Sequence, residues 1–405
     1  MRVAVVHNLP SGGARRALVA HARVLASRGH GVEIFELATG VDPLEDFATL
    51  GLPLHRYQVP PPPDREAGLF GRPTVATGMK ALRLLAVLPR VWRRVARDVD
   101  SGGFDVALVG NDQFTHTPHL LRYCRTPAAL YSNEPLRYVY DAPVGDAPAR
   151  DSLMLKVLRP VADRVLKRVL GSMDARNVRA SPVLITNSHF SHESFLRCYG
   201  RPARVVYLGV DAQRFRPLGR SRREFVLSVG AMHPAKGFSF LVEAIALLPR
   251  ERRPDLVLVS DRGYGVYRQR LEALAASRGV RLDLRHRVAD GELLELYNTA
   301  AVFVYAPYLE PFGLVVLEAM ACGTAVVAVA EGGVRETVRD GVTGTLVPRD
   351  PARFAAALEA LLDDPDRAAQ LGAAGRADAI ALWTWERSTE ALEAALLETA
   401  AAGRA

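Results

Sequence analysis

Short runs of consecutive apolar residues alternate along this chain with stretches in which apolar side chains recur every three or four positions. Val3–Val6 is the first run. A turn from Asn8 to Gly13 follows, and then Leu18, Ala22 and Leu25 mark one face of a helix predicted over Arg15 to Arg28, closed by Gly29. Val32–Phe35, Phe104–Val109 and Ala128–Tyr131 are further runs, and Val183–Asn187 closes this half. A short run apolar on both faces is a strand buried in a parallel sheet, and the three-to-four period is a helix laid against it. The pattern predicts an α/β protein with helices on both sides of parallel sheets.

The alternation starts afresh after Arg220-Ser221-Arg222-Arg223. Phe225–Val229 reads as a strand, and Phe238, Leu241, Val242, Ile245 and Leu248 line an amphipathic helix. Leu256–Ser260, Val280–Leu284, Ala301–Tyr305, Ala325–Val329 and Thr345–Val347 are the later strands, and the Ala/Leu-rich end from Pro351 to Ala402 reads as two or three helices. No repeat at a fixed period appears. Two stretches break the pattern. Val59-Pro60-Pro61-Pro62-Pro63 cannot be helix or inner strand and opens an irregular loop reaching about Pro73. Met79–Asp98 is a basic amphipathic helix that Pro89 is expected to kink or divide, and Leu153 to Val169 is a second one.

With 405 residues the chain has room for two or three domains of roughly 150 residues each. A hydrophobic content of 49% and a charged content of 24% belong to a globular protein. Apolar stretches are interrupted well before the ~20 residues of a membrane span, and the start has no signal-peptide layout, so cytoplasmic residence is expected. Three dispersed cysteines, Cys124, Cys198 and Cys322, give no disulfide framework. The net charge of +8 suits nucleic acid, anionic lipid or an anionic substrate. Nucleic acid is set aside, because no RNP, helix-turn-helix or zinc-finger signature is present and the basic residues are not interleaved with aromatics.

The candidate chemistry sits at strand-to-helix turns. Glu310-Pro311-Phe312-Gly313-Leu314 precedes Glu318, so two carboxylates lie eight positions apart around a turn that opens a helix. The unpaired N–H groups of a helix start attract phosphate, and the flanking acids can accept bonds from sugar and ribose hydroxyls. Surface acids on an ordinary connection are the plain alternative. Ser11-Gly12-Gly13-Ala14 is a glycine turn between strand and helix, but not the G-x-G-x-x-G of a dinucleotide site, although Glu36 ends the second strand. Lys236, in Met232-His233-Pro234-Ala235-Lys236-Gly237, stands where an ammonium meets a phosphate as a point charge. Asp98-Val99-Asp100 imitates a metal-binding D-x-D but reads as solvated acids, and His189-x-x-His192 as a helix start; no metal site is expected.

In order along the chain, SGGARRAL, RGHGVEIF, LITNSHFSHESF, VVYLGVDAQRFRP, SVGAMHPAKGFSFLVEAI, DGELLELYNTAAVFVYAP and EPFGLVVLEAMACGTAVVAVAEGGVRETVRDGVTGTLV resemble the retaining glycosyltransferases of family 4, with the GT-B fold. The resemblance is strongest from about Val183 to Val347. It implies two Rossmann-like domains facing across a cleft: an acceptor-side domain over 1–205, a sugar-nucleotide domain over 206–383, and a last helix, 384–402, crossing back. It implies that Glu310 holds donor-sugar hydroxyls, that the backbone of Phe312, Gly313 and Leu314 meets the phosphates, and that Glu318 binds the ribose. Lys236 matches the diphosphate-binding lysine, and Gly12 and Gly13 the turn that approaches the donor phosphate. Glu310 and Lys236 are therefore the expected catalytic pair, without a cofactor or metal.

Two positions depart from the family's pattern. Ala231 stands where an arginine often accompanies the lysine, with Arg262 a speculative substitute. Asn133, before Glu134, replaces a histidine that faces the sugar; Asn133 and Glu134 remain candidate sugar or acceptor contacts. The expected function is transfer of a hexose-type sugar from a nucleoside-diphosphate sugar to an acceptor hydroxyl. A sugar-nucleotide epimerase, a phosphorylase or a weakened sugar-nucleotide-binding subunit are the alternatives. The acceptor is either soluble or lipid-linked; the second case would seat the basic helix at 79–98 on the inner face of a membrane.

Overall fold

The computed structural model describes residues 1–10, 12–38, 47–59, 75–141, 153–261 and 265–403, with side chains of 75–85 and 153–162 left aside. Ser11, Arg262 and the proline run from Pro60 to Pro73 lie outside the described residues.

The first unit is a seven-stranded parallel sheet in the order β3-β2-β1-β4-β5-β6-β7. Its strands are β1 (Arg2–Asn8), β2 (Gly31–Ala38), β3 (Leu54–Gln58), β4 (Val106–Asp112), β5 (Ala128–Tyr131), β6 (Val183–Thr186) and β7 (Arg204–Val205). Two of these the apolar pattern misses. β3 is an edge strand whose Leu54-His55-Arg56-Tyr57-Gln58 is mostly polar, because one edge and one face meet water. β7 pairs for only two residues, so β6 is not the last strand. The second unit is a six-stranded parallel sheet in the order β10-β9-β8-β11-β12-β13. Its strands are β8 (Arg223–Val229), β9 (Asp255–Ser260), β10 (Leu282–His286), β11 (Ala300–Tyr305), β12 (Val326–Val329) and β13 (Thr345–Val347). Strands buried on both faces read as continuous apolar runs, and Val3, Ala4, Val5, Val6, Val302, Phe303 and Val304 are fully buried.

Each sheet therefore reverses its order at one place, between β1 and β4 and between β8 and β11. Ligands of open parallel sheets sit in the crevice beyond the carboxyl ends of the strands at such a point. The turns after β1, β8 and β11 carry Gly12-Gly13, Lys236 and Glu310 respectively.

The helices that matter for the site are α1 (Gly13–Ser27), α2 (Val75–Ser101), α3 (Arg137–Tyr140), α4 (Leu153–Ala180), α5 (His189–Tyr199) and α6 (Phe238–Ile245). They are followed by α7 (Val266–Arg278), α8 (Asp290–Thr299), α9 (Leu314–Ala321), α10 (Val334–Thr337), α11 (Pro351–Asp363), α12 (Pro365–Ala381) and α13 (Trp385–Ala402). Pro89 does not divide α2, which runs through it as one helix. Buried Leu88, Trp92, Val95 and Val99 anchor its second half to the first core.

Thr384 caps α13, accepting from Arg387 N. That helix lies on α1 of the first unit. Buried His21 meets Thr389 Oγ1 at 2.9 Å, Ser388 Oγ donates to the Tyr207 carbonyl, and His30 pairs with Glu393 at 2.8 Å. Leu392, Ala395 and Leu396 share a continuous core with Leu18, Leu25 and Val5.

Candidate functional site

The second unit brings its expected groups together at the ends of β8 and β11. Lys236 ends a single 3-10 turn, and Gly237 behind it has φ of 69°. A Cβ on Gly237 would overlap the Ala306 carbonyl, so only glycine lets the lysine turn pack on the end of β11. Lys236 Nζ lies 2.7 Å from Glu310 Oε2, with the two side chains 27% and 16% exposed. Glycine fixes the Glu310 backbone too. Gly332 and Gly333 lie so close to Glu310 and Pro311 that neither tolerates a Cβ, and Gly333 N donates to the Glu310 carbonyl at 2.8 Å. These two glycines are site residues that carry no role in the sequence reading; their adjacency after a strand is the signal that could have flagged them.

Phe312 is 1% exposed and packs among Tyr207 and Trp383, so its side chain is an anchor worth ~2–3 kcal/mol of burial. Gly313 caps α9 with φ of 93°. The opening turn of α9 presents N–H groups that have no partner within the helix, which is the property phosphate recognition uses. Gly13 reaches this turn from the first unit: a Cβ on it would stand 3.4 Å from Leu314 Cδ1. The two glycine turns thus meet across the cleft.

Glu318 is 3% exposed in the second turn of α9. Arg16 of α1 donates to its Oε1 at 2.5 Å and the Tyr297 hydroxyl to its Oε2 at 2.8 Å. The expected ribose carboxylate is therefore tied to the other unit, a pairing over 302 positions that spacing does not reveal. Beside it lies a cavity of about 170 Å³ lined by Arg16, Arg23, Arg214, Leu314, Glu318 and Trp385. A larger cavity of about 790 Å³ opens at the amino ends of β8 and β11, away from these turns. Its Arg222 and Arg253 donate to backbone carbonyls, so we read it as a structural crevice.

The first unit faces this with Asn133, Glu134 and Arg137. The Asn133 carbonyl accepts from Ser191 Oγ at 2.6 Å, while its side-chain Oδ1 is buried without a partner among the described residues. Glu134 stands 3.5 Å from Arg137, and burial together with the charge of Glu310 raises its carboxyl above the ordinary value. Burial, then the charges of Lys236 and Arg137, lower His233 and keep its ring neutral at neutral pH. Its Nδ1 accepts from Ala235 N at 3.1 Å. Ala231 adds no charge, and Arg137 is the cation the sequence reading did not single out.

The units are tied at a further point. Both oxygens of Glu336 on α10 accept from the first amides of α5, His189 N and Phe190 N, each at 2.9 Å, where the helix dipole favours a negative charge.

Three minor sequence candidates are structural. Glu36 pairs with Arg15 at 2.7 Å and Arg56 at 3.2 Å rather than standing open at a strand end. Asp98 accepts from the Tyr57 hydroxyl at 2.6 Å, and Asp100 accepts from Arg125 N and Thr126 N. These acids fix local structure and are not simply solvated. Among the described residues no group of three His, Cys, Asp or Glu side chains is arranged to hold a metal ion.

The model of Glycosyltransferase Family 4 matches residues 11–214, half of the chain, and that of Glycosyl transferases group 1 matches residues 210–378. The chain belongs to glycosyltransferase family 4. Among curated proteins it is 39% identical over 251 residues to a D-inositol 3-phosphate glycosyltransferase of Geodermatophilus obscurus, covering 56% of this chain and 54% of that protein. A protein of the same name from Frankia alni is 41% identical over 195 residues, covering 43% of this chain and 48% of the other. The chain spans about half the length of the curated relatives it matches. Among solved structures, sucrose-phosphate synthase from Thermosynechococcus elongatus has a TM-score of 0.74 at 23% identity, covering 99% of each chain. Anabaena HepE in complex with UDP and glucose has a TM-score of 0.69 at 20% identity, covering 98% of this chain and 99% of that one. The fold of this family 4 member is thus GT-B, with two Rossmann-like domains.

Proposed function

We propose that this family 4 protein moves a hexose-type sugar from a nucleoside-diphosphate sugar to an acceptor hydroxyl with retention at the anomeric carbon. The observation that carries the reading is the meeting of Gly13 with Leu314 at the start of α9, flanked by the Lys236–Glu310 pair and by Glu318. That arrangement offers phosphate-binding amides, one ammonium and two hydroxyl-accepting carboxylates within one cleft. UDP is the favoured nucleotide, because HepE, which shares the fold, was solved with UDP and with UDP-glucose.

In this reading the bond between the anomeric carbon and the diphosphate oxygen breaks while charge builds on the departing diphosphate. Lys236 and the amides opening α9 stabilise that charge, as preorganised donors do. The acceptor oxygen attacks from the face the leaving group vacates, and its proton passes to the departing phosphate oxygen. Glu310 orients the sugar, and Lys236, its partner at 2.7 Å, turns to the diphosphate when the donor enters. No divalent ion is assigned a step.

A thermal-shift series with UDP, GDP, ADP and dTDP tests the donor, since a ligand bound only by the folded state raises its stability. UDP should give the largest rise; a flat response to all four sinks the reading. Product analysis without acceptor separates transfer from phosphorolysis, which requires inorganic phosphate.

For the acceptor, the relatives' name supports a phosphorylated polyol. A lipid-linked acceptor is the second reading, favoured by Val165 and Val169 of α4, 59% and 48% exposed, beside exposed Arg164 and Arg168. Co-sedimentation with anionic but not neutral vesicles supports it, and no sedimentation with either removes it.

A further inference from the structure

We propose that Arg137 is a positioning residue for Glu310, clasping from the opposite domain the two peptide carbonyls that precede it, so that domain approach and the aim of the sugar-holding carboxylate are one event. This rests on the transferase reading above.

The first five carbonyls of the segment between β11 and α9 each accept a hydrogen bond. Ala306 O and Pro307 O take theirs from Arg349, at 2.9 and 2.6 Å. Tyr308 O and Leu309 O take theirs from Arg137 Nη2, at 2.7 and 3.2 Å. Glu310 O takes its own from Gly333 N at 2.8 Å. Arg349 and Gly333 belong to the same domain as the segment, so they hold it whether the cleft is open or closed. Arg137 belongs to the first domain, at the start of α3. Among the described residues, only the middle of the segment has its carbonyls bonded by the other half of the molecule.

That middle is also where the backbone is strained. Leu309 has φ of 47°, one of three non-glycine residues in the left-handed region among those described. A branched side chain is disfavoured there, so the turn persists only where its surroundings hold it. The Leu309 side chain is 39% exposed and supplies little of that hold. On one flank the Arg349 guanidinium stacks 3.8 Å above the Tyr308 ring. On the other, Arg137 supplies the bonds. Arg137 is itself aimed by Asp141 at 3.1 Å and Glu134 at 3.5 Å, both of the first domain. Nη2 reaches both carbonyls while Nε is held from behind by Asp141; an ammonium, with one nitrogen, cannot be held and reach forward in that way.

Arg137→Ala and Arg137→Lys separate position from charge. Three measurements are made on the full chain: hydrogen exchange over 306–312, UDP affinity, and kcat for donor turnover. In both variants exchange over 306–312 should rise about tenfold, and kcat should fall by about thirtyfold or more, as for a lost transition-state interaction. UDP affinity should stay within about threefold, because the groups of α9 are untouched. Added guanidinium at millimolar concentration should restore part of the Arg137→Ala turnover. Unchanged exchange in Arg137→Ala overturns the proposal, and so does wild-type kcat in Arg137→Lys, since charge alone would then suffice. Wild-type protein that turns over no sugar nucleotide defeats the transferase reading instead, and the exchange measurement still decides whether Arg137 clasps the segment.

Discussion

The two faces of the cleft are built differently. On the second domain, the Lys236 turn, the Glu310 segment and the glycine pair after β12 are locked backbone to backbone by contacts that admit no side chain at Gly237, Gly332 or Gly333. On the first domain, the corresponding region is a network of buried polar side chains. Asn8, Trp92 and the amides of Phe114 and Thr115 converge on Asp112, and Thr117 and Tyr199 converge on Asp174. His7 Nε2, His119 Nε2 and Asn133 Oδ1 lie buried there without a hydrogen-bond partner among the described residues. A buried polar atom left unpaired costs about 1–3 kcal/mol, so such atoms mark places a ligand or water completes. One face is thus a platform preformed by its backbone, and the other holds polar capacity in reserve.

The comparison breaks most sharply at Gly237. Gly237→Ala combines a positive φ with overlap on the Ala306 carbonyl and should cost more than about 3 kcal/mol in denaturant unfolding. Gly29, with φ of 86° and open space around it, is the first-domain control and should cost only ~1–2 kcal/mol. Equal losses would mean that the platform is no tighter than an ordinary turn.

Next come the groups the platform carries. Lys236→Ala and Glu310→Ala should each lower turnover about a hundredfold with folding intact, read by steady-state kinetics beside circular dichroism. Near-normal transfer by both variants removes them from the site.

The bridge between the faces comes third. Arg16→Ala leaves buried Glu318 with Tyr297 as its remaining hydrogen-bond partner among the described residues and should cost about 2–3 kcal/mol, seen as a lower urea midpoint at constant slope. Arg16→Ala with Glu318→Gln should recover part of that loss.

The smallest effect is pH-dependent and belongs to the first domain. Burial pushes His7 and His21 down to about 3. Unfolded histidine titrates near 6.5, so between these values the unfolded state binds more protons than the folded one. Stability is therefore fully present above about 6.5 and falls as pH drops towards about 3, by at most ~1.4 kcal/mol per pH unit for each histidine. Thermal melts from pH 7 to 6, a window in which the two histidines together remove about 1.4 kcal/mol, check the direction; a melting temperature that rises on acidification contradicts it.

How much of this was legible in the sequence follows from which forces are local. The strands β1, β2, β4, β5, β6, β8, β9, β11 and β12 stand in the apolar pattern, because burial on both faces demands it. Polar β3 and two-residue β7 do not, since an edge strand is specified by its neighbour rather than by its own composition. Pro89 has the sequence of a break, yet α2 runs on, held by Leu88 and Trp92 in the core. At the candidate site, Gly12, Gly13, Lys236, Glu310, Phe312, Gly313, Leu314 and Glu318 were legible as turn chemistry between strand and helix. Arg16, Arg137 and Glu336 were not, because an arginine or glutamate on an amphipathic helix looks the same whether it faces water or another domain.

The sequence by itself determined two parallel sheets, their helices and the family that owns them, through periodicity and ordered motifs that act over a few residues. The tertiary structure alone decided who meets whom across the cleft: Gly13 with Leu314, Arg16 with Glu318, Glu336 with the start of α5, and Arg137 with the strained carbonyl of Leu309. Those pairings join residues more than a hundred positions apart. Their energy depends on desolvation and distance between two separately folded sheets, quantities that no local pattern encodes.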